Sequence, residues 1–309
     1  MSASTSLGVQ IVVYENEPDG QVRLAEGLAT TLRRAIDAGA VERVSVRWGD
    51  CSPLPVLAPD AVDALRLRLS DVTAEVDVEC FGDNLGSAGG SNALAARGSE
   101  DVIWVLNPDT YPSPRTAERL LAALARPGVA AAEARQLPIE HPKEYDSVSG
   151  ETGWASGFCT MLRRTAFEEV DGFDAHFFPM YCDDVDLSWR LRLAGHRVVH
   201  VDEAAVFHDK RIGGEGGVEM SDFAVFDSAR ARLFLARRYG RPDVEAELLA
   251  WVDGHGTPAH RRAAAEFRQR VSIGDVPEVI EGASTVAVFE GADYAHHRFG
   301  YDVAVVDST

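Results

Sequence analysis

The sequence predicts an α/β protein built on a mostly parallel sheet with helices on both faces. Short apolar runs of strand length alternate with stretches whose apolar residues recur at helical spacing. The strand-like runs close on clusters of Asn, Asp, Gly or Ser, and glycines stop the helical stretches. In such sheets, ligands bind beyond the carboxyl ends of the strands.

Val9 to Tyr14 (VQIVVY) reads as a short buried strand. Val22 to Ala38 carries Val22, Leu24, Leu28, Leu32 and Ile36 at helical spacing, with Gly39 as its stop. Val41 to Trp48 is a second strand, with Val44 and Val46 alternating. A Pro-rich passage, SPLPVLAPD, then leads into a helix around Ala61 to Leu69. Val76 to Phe81 supplies a third strand and Asp101 to Leu106 a fourth. Between them NLGSAGGSN, Asn84 to Asn92, opens a helix. Its glycines Gly86, Gly89 and Gly90 allow close backbone approach, and the free N–H groups of the helix start suit an anion. The spacing matches neither a dinucleotide-binding fingerprint nor a P-loop.

The strand ends collect polar residues: Tyr14-Glu15-Asn16, Gly49-Asp50-Cys51-Ser52, Gly82-Asp83-Asn84 and Asn107-Pro108-Asp109-Thr110. Each alone is accounted for by turn chemistry. Four in succession on one edge of a sheet predict a shared site. Further on, Asp183, Asp184 and Asp186 crowd the start of a helix that runs to Gly195, beside Phe177, Phe178 and Tyr181, with Asp202 and His208 following. A helix start favours one carboxylate. Three together repel unless a cation or a proton is used there.

The chain has 309 residues, 46% hydrophobic and 26% charged, enough for one domain or one and a half with a sizeable core. Its net charge of −19 argues against nucleic acid as a partner and against broad binding to anionic lipid. A phosphate ligand would need local neutralisation, for which a metal ion suffices; a solvated acidic surface is the other reading. No apolar run reaches the roughly 20 residues needed to span a bilayer, and the first residues lack a signal-peptide pattern, so a cytoplasmic protein is expected. Cys51, Cys80, Cys159 and Cys182 have no zinc-type spacing and are expected as free thiols.

NLGSAGGSN, VLNPDT, WASGFCTMLRRTAF and GFDAHFFPMYCDDVDLSWRLRLAGHRVV with AAVFH, in that order, resemble family 2 glycosyltransferases of the GT-A fold. The likeness covers about Val9 to Tyr239. The NPDT form is similar to bacterial rhamnosyltransferases and the GSAGG turn to galactofuranosyltransferases.

The resemblance implies a GT-A (Rossmann-like) domain over residues 1–240. It further implies an inverting transfer of a sugar from a nucleoside diphosphate donor, dTDP- or UDP-linked, to a hydroxyl of a glycan, lipid-linked or small-molecule acceptor. Asp109 matches the last carboxylate of the metal motif and His208 a further ligand, for Mg²⁺ or Mn²⁺. Asp184, with Asp183 beside it, matches the acidic pair that supplies the general base. Tyr14, Glu15 and Asp50 match positions that cradle base and ribose; Asn84, Gly86 and Asn107 belong to the same nucleotide-sugar site. Trp154 and Gly157 match the segment facing donor sugar and acceptor. The chain departs from the pattern at Asn107, usually Asp, and at Asp183, usually Glu. These departures leave a catalytically silent nucleotide-sugar-binding or assembly protein as the alternative. For His208 and Asp109 the plain readings are a buried strand-end histidine and a turn carboxylate.

Asp209 to Met220 is rich in glycine and reads either as a lid carrying Lys210 or Arg211 or as a connector. Phe223 to Tyr239 is an amphipathic helix whose Arg230, Arg232, Arg237 and Arg238 face either an anionic, membrane-borne acceptor or solvent. Residues 241–309 form an extension outside the resemblance. In it Val244 to Val252 and Pro258 to Arg270 read as helices, and Ser284 to Glu290 and Tyr301 to Val306 as short strands of a hairpin or of a homodimer edge. His255, His260, His296 and His297 read as surface residues.

Overall fold

The computed structural model describes residues 5–141, 143–210 and 220–295. Arg211 and most of the expected lid, with His296, His297 and the expected strand Tyr301 to Val306, lie outside the described residues.

Strand β1 (Ser6–Val13) turns Leu7, Val9, Ile11 and Val13 to one face, all fully buried, and pairs in parallel with β2 (Arg43–Asp50) on one side. Helix α1 (Pro18–Asp37) joins them. It starts on a proline, whose missing N–H costs nothing there, and lays Leu24, Leu28 and Leu32 on the sheet. Its exit is closed by Gly39 at φ +68°. Helix α2 (Pro59–Leu69) leads to β3 (Glu75–Cys80), parallel to β2; helix α3 (Gly86–Ala95) leads to β4 (Val102–Leu106), parallel to β1. These four strands thus share one carboxyl edge, as the alternation predicts.

The remaining strands are β5 (Thr110–Pro112), β6 (Val129–Leu137), β7 (Cys159–Arg163) and β8 (Arg197–His208), with α4 (Thr116–Leu124), α5 (Arg164–Glu169) and α6 (Asp183–Leu193) between them. The sheet order is β3-β2-β1-β4-β7-β6-β8-β5. Strand β7 runs antiparallel to both neighbours, β8 parallel to β6, and β5 antiparallel to β8. The three-residue β5 carries no periodic signal, yet its pairing sets Thr110 opposite His208.

Three helices follow: α7 (Asp222–Arg238), α8 (Pro242–His255) and α9 (Pro258–Ser272). They share a core with α6 through Trp189, Phe234, Tyr239, Leu248 and Phe267. His260 closes a capping box with Thr257 at the start of α9, so it has a structural partner. The expected strand Ser284 to Glu290 does not form. After Gly282, at φ +73°, Ala283–Thr285 make a single 3₁₀ turn, and Glu290 makes only an isolated bridge to Asp293. This stretch lies against helices, where no strand edge offers it a ladder.

The arginines of α7 are part-buried and each is engaged by acidic side chains. Arg230 pairs with Asp227 and Glu266, Arg232 with Asp293, Arg237 with Glu245, and Arg238 with Asp174 and Asp186. All four cysteines are free. Among the described residues, no helix is long and apolar enough to cross a membrane.

Asp186 also departs from expectation. Fully buried on the far side of α6, it takes Arg190 Nε at 2.8 Å, Arg238 at 3.2 Å and the Tyr239 hydroxyl at 3.1 Å. Opposite charge, not a metal or a shared proton, accounts for it. Removing one partner from a buried ion pair strands the others in low dielectric. Asp186→Ala is therefore expected to destabilise the fold by about 3–5 kcal/mol in urea unfolding; a midpoint matching the parent would contradict this assignment.

Candidate active site

A cleft of about 750 Å³ opens at the carboxyl edge of β1, β2 and β4, within the roughly 300–1,000 Å³ common for small-molecule sites. Of the residues singled out from sequence, it brings together Tyr14, Asn84, Gly86, Asn107, Asp109, Trp154, Gly157, Asp183, Asp184 and His208. Glu15 and Asp50 are not in its lining. Glu15 is exposed, with φ 54°, and donates its N–H to Ser52 Oγ at 2.8 Å. Asp50 is fully buried and accepts from the backbone N–H groups of Ser52 (2.9 Å) and Val56 (2.7 Å). It organises the loop after β2 instead of presenting a carboxylate to the cleft. Asp202 stands apart, near His200.

At one end of the cleft, the β5–β8 pairing sets the Asp109 carboxylate 3.1 Å from His208 Nε2. His208 is 1% exposed, its ring stacked on Phe158, and its Nδ1 lies 3.0 Å from the amide oxygen of Gln136. An amide oxygen only accepts, so Nδ1 carries hydrogen and Nε2 is the atom turned to Asp109. Burial pushes the Asp109 carboxyl up, but His208 and Lys210 outweigh it and hold it below the ordinary range. A carboxylate and an imidazole nitrogen at this distance suit two neighbouring ligands of one small divalent cation. Among the described residues, no three His, Cys, Asp or Glu side chains gather as a full metal cage. Two protein ligands fit an ion that keeps positions for phosphate and water.

The floor is the start of α3. Gly86 has φ +69°, and a Cβ there would sit 2.3 Å from the carbonyl oxygen of Pro179. Only glycine lets the chain before α6 lie on α3, where Ser87 Oγ reaches Asp183 at 3.1 Å.

At the other end, α6 is entered through two left-handed residues, Tyr181 (φ 64°) and Cys182 (φ 56°). Such conformations cost on the order of 1–3 kcal/mol each and persist where surrounding contacts impose them. They aim the first two carboxylates of α6 into the cleft. Asp184 accepts the Gly157 N–H at 2.9 Å and the Val185 N–H at 2.8 Å. Burial, then the charge of Asp184, raises Asp183; burial raises Asp184 against the pull of the Gly157 N–H, Lys143 and the Val185 N–H. The pair titrates together.

Sequence reading missed His141, Phe158 and Tyr294, whereas Lys210, expected on a lid, lines the cleft and bears on Asp109. Tyr294 arrives from beyond α9, its ring edge-on to Trp154 at 5.3 Å. Only an aromatic residue in an otherwise irregular tail marked it.

A raised carboxyl penalises the fold only when it must ionise. Below the unfolded value, about 3.9, both states hold the proton; as pH rises towards the raised value, the unfolded chain releases it first and stability falls. Asp183→Asn should therefore unfold at a higher temperature than the parent at about pH 8, with the gap closing near about pH 4. A gap that is constant with pH would contradict the raised carboxyl.

No protein-family model matches the chain. The N-acetylglucosaminyl-diphospho-decaprenol L-rhamnosyltransferase of Mycobacterium tuberculosis (strain CDC 1551 / Oshkosh) is 52% identical over 58 residues, 19% of each chain. Rhamnosyltransferase WbbL of Escherichia coli (strain K12) is 39% identical over 67 residues, 22% of this chain and 25% of that one. The chain thus spans 19% to 25% of the length of these curated relatives. Among solved structures, a mannosyltransferase from Pyrobaculum calidifontis in complex with GDP-Man and Mn²⁺ superposes with TM-score 0.57 at 14% identity, over 92% of this chain and 83% of that one. GalNAc-T7, solved with UDP, GalNAc and Mn²⁺, gives TM-score 0.63 at 12% identity, over 89% of this chain and 55% of that one. The chain has the GT-A fold, shared with these solved glycosyltransferases over most of its length, and its sequence likeness to rhamnosyltransferases covers a short stretch.

Proposed function

We propose that this chain is an inverting glycosyltransferase that moves a sugar from a nucleoside diphosphate to an acceptor hydroxyl. The observation that carries the reading is one cleft with Asp109 beside His208 at one end, which we read as the cation end, and Asp184 fixed by the Gly157 N–H at the other, which we read as the base end. Asn84, Gly86, Asn107 and Tyr14 line the space for the nucleotide, and Trp154 the sugar and acceptor side.

A divalent ion bound by Asp109 and His208 would neutralise charge on the departing diphosphate. Asp184 takes the proton of the acceptor hydroxyl as its oxygen attacks the anomeric carbon. The bond from that carbon to the diphosphate breaks on the opposite face, which inverts configuration. The hydroxyl's pKa lies far above neutrality, and a carboxylate of raised proton affinity is better matched to it than an ordinary one. Asp183, held by Ser87, shares the pair's charge and orients the start of α6.

We read the donor as a dTDP- or UDP-linked sugar and the acceptor as a glycan, lipid-linked or small-molecule hydroxyl; the short matches to rhamnosyltransferases support a sugar donor of this kind. We read residues 1–240 as the catalytic domain of a cytoplasmic enzyme and 241–309 as an extension, of which Tyr294 reaches the Trp154 side of the cleft.

Asp184→Asn is expected to lower transfer by about 10²–10⁴-fold while donor affinity, read by calorimetry, stays within a few-fold. Transfer at the parent rate would refute the base assignment. Donor binding without turnover in the parent would favour the silent binder of the same fold.

A further inference from the structure

Behind the acceptor-side wall lies a buried group of charges that this transfer does not use. Glu133 of β6, 2% exposed, stands in register with His200 on β8. Lys143, its side chain 3% exposed, pairs with Glu133, donates to the Trp154 carbonyl at 3.0 Å and lies 3.9 Å over the Trp154 ring. His200 completes the group: Nδ1 is 3.5 Å from Glu133, and Nε2 is 3.1 Å from Glu140 and 3.2 Å from Asp202. Burial works against charge on His200, but Glu133 and Glu140 raise it to about 9, so it is cationic at neutral pH.

Such a group is expensive. Each ion taken from water costs several kcal/mol, and apolar packing of the same volume is often at least as stable. Fold stability alone therefore does not explain a lysine here. The composition points the same way: of 30 basic residues only two are lysines, and the other, Lys210, lines the cleft beside Asp109.

Trp154 separates Lys143 from the cleft, and the charges around Asp184 show what the lysine meets. From α6 come Asp183 and Cys182; from the tail comes Tyr294, beside which Asp293 and Arg232 of α7 pair; from the sheet side come Glu133 and Lys143. His141 stands edge-on to Trp154. Lys143 is a cation that bears on the Asp184 carboxylate, while Glu133, Asp183 and burial all oppose its ionisation.

We propose that Lys143 is a positioning residue: clamped between Glu133 and the carbonyl and ring of Trp154, it fixes the acceptor wall and holds Asp184 as a carboxylate able to accept a proton. The transfer role rests on the function proposed above; the electrostatic role does not. Glu133 serves as the counterweight that keeps the ammonium in place and limits its effect.

The test follows the Asp184 carboxyl by NMR through a pH titration, its signal assigned by its loss in Asp184→Asn, with the pH profile of kcat/KM measured alongside. Lys143→Gln should move the Asp184 midpoint up by about one unit, Glu133→Gln should move it down, and Lys143→Arg should leave it near the parent. The acid limb of kcat/KM should move with it. If Lys143→Gln does not fold, the other two variants decide. Midpoints unchanged in Lys143→Gln and Glu133→Gln, or shifted in the same direction, would overturn the proposal. Opposite shifts without any transfer would retain the electrostatic role and reject the glycosyltransferase reading instead.

Discussion

The cleft depends on one close approach, the carbonyl of Pro179 against Gly86. No side chain fits between them, so the turn before α6 rests directly on the first turn of α3. The same carbonyl accepts the Ala88 N–H at 3.2 Å and the Ser87 hydroxyl at 3.3 Å. That contact joins the floor of the cleft to the element carrying Asp183 and Asp184. The left-handed pair Tyr181 and Cys182 is its consequence, because the chain must reverse sharply between the Pro179 contact and the axis of α6. A second joint, Thr110 against His208, does the same for the end that holds Asp109. Both bring together residues far apart in sequence, and neither involves a large apolar contact.

Charge is divided across α6 by the helix period. Asp183 and Asp184 face the cleft, held by Ser87 and the Gly157 N–H and paired directly with no arginine among the described residues; Asp186, turned to the far side, is saturated by Arg190, Arg238 and Tyr239. One face therefore stores carboxylates of raised proton affinity, while the other anchors the helix to α7. The arginines of α7 are consumed in that anchoring and in pairs with α8, α9 and the tail. Among the described residues, Lys210 is a cation that lines the cleft and bears on Asp109.

Much of this was legible in the sequence. The strands β1 to β4 and helices α1, α2, α7, α8 and α9 follow from periodicity with shifts of a few residues at their ends, and the polar strand ends do converge on one edge. The misreadings share a cause. Asp186 looked like a member of an acidic cluster because linear spacing hides which face of a helix a residue takes. Asp50 sits at the right strand end but turns inward, since the loop after β2 leaves N–H groups that need an acceptor. The arginines of α7 seemed available because their acidic partners lie on other elements. Lys143, Glu133 and His200 carried no motif at all, since β6 and β8 bring them together only in the folded sheet.

The most direct test of the account is the thermal unfolding of the full chain with UDP, dTDP, GDP and CDP, each with and without Mn²⁺, in the parent and in Asp109→Ala. A nucleotide at about 100 times its dissociation constant stabilises the folded state by roughly 2.7 kcal/mol, a shift of several degrees. The account predicts such a shift for one nucleotide, dependent on Mn²⁺ and lost in Asp109→Ala. A shift of equal size without the metal, or one that survives in Asp109→Ala, would contradict the cation end of the cleft and with it the proposed division of the site.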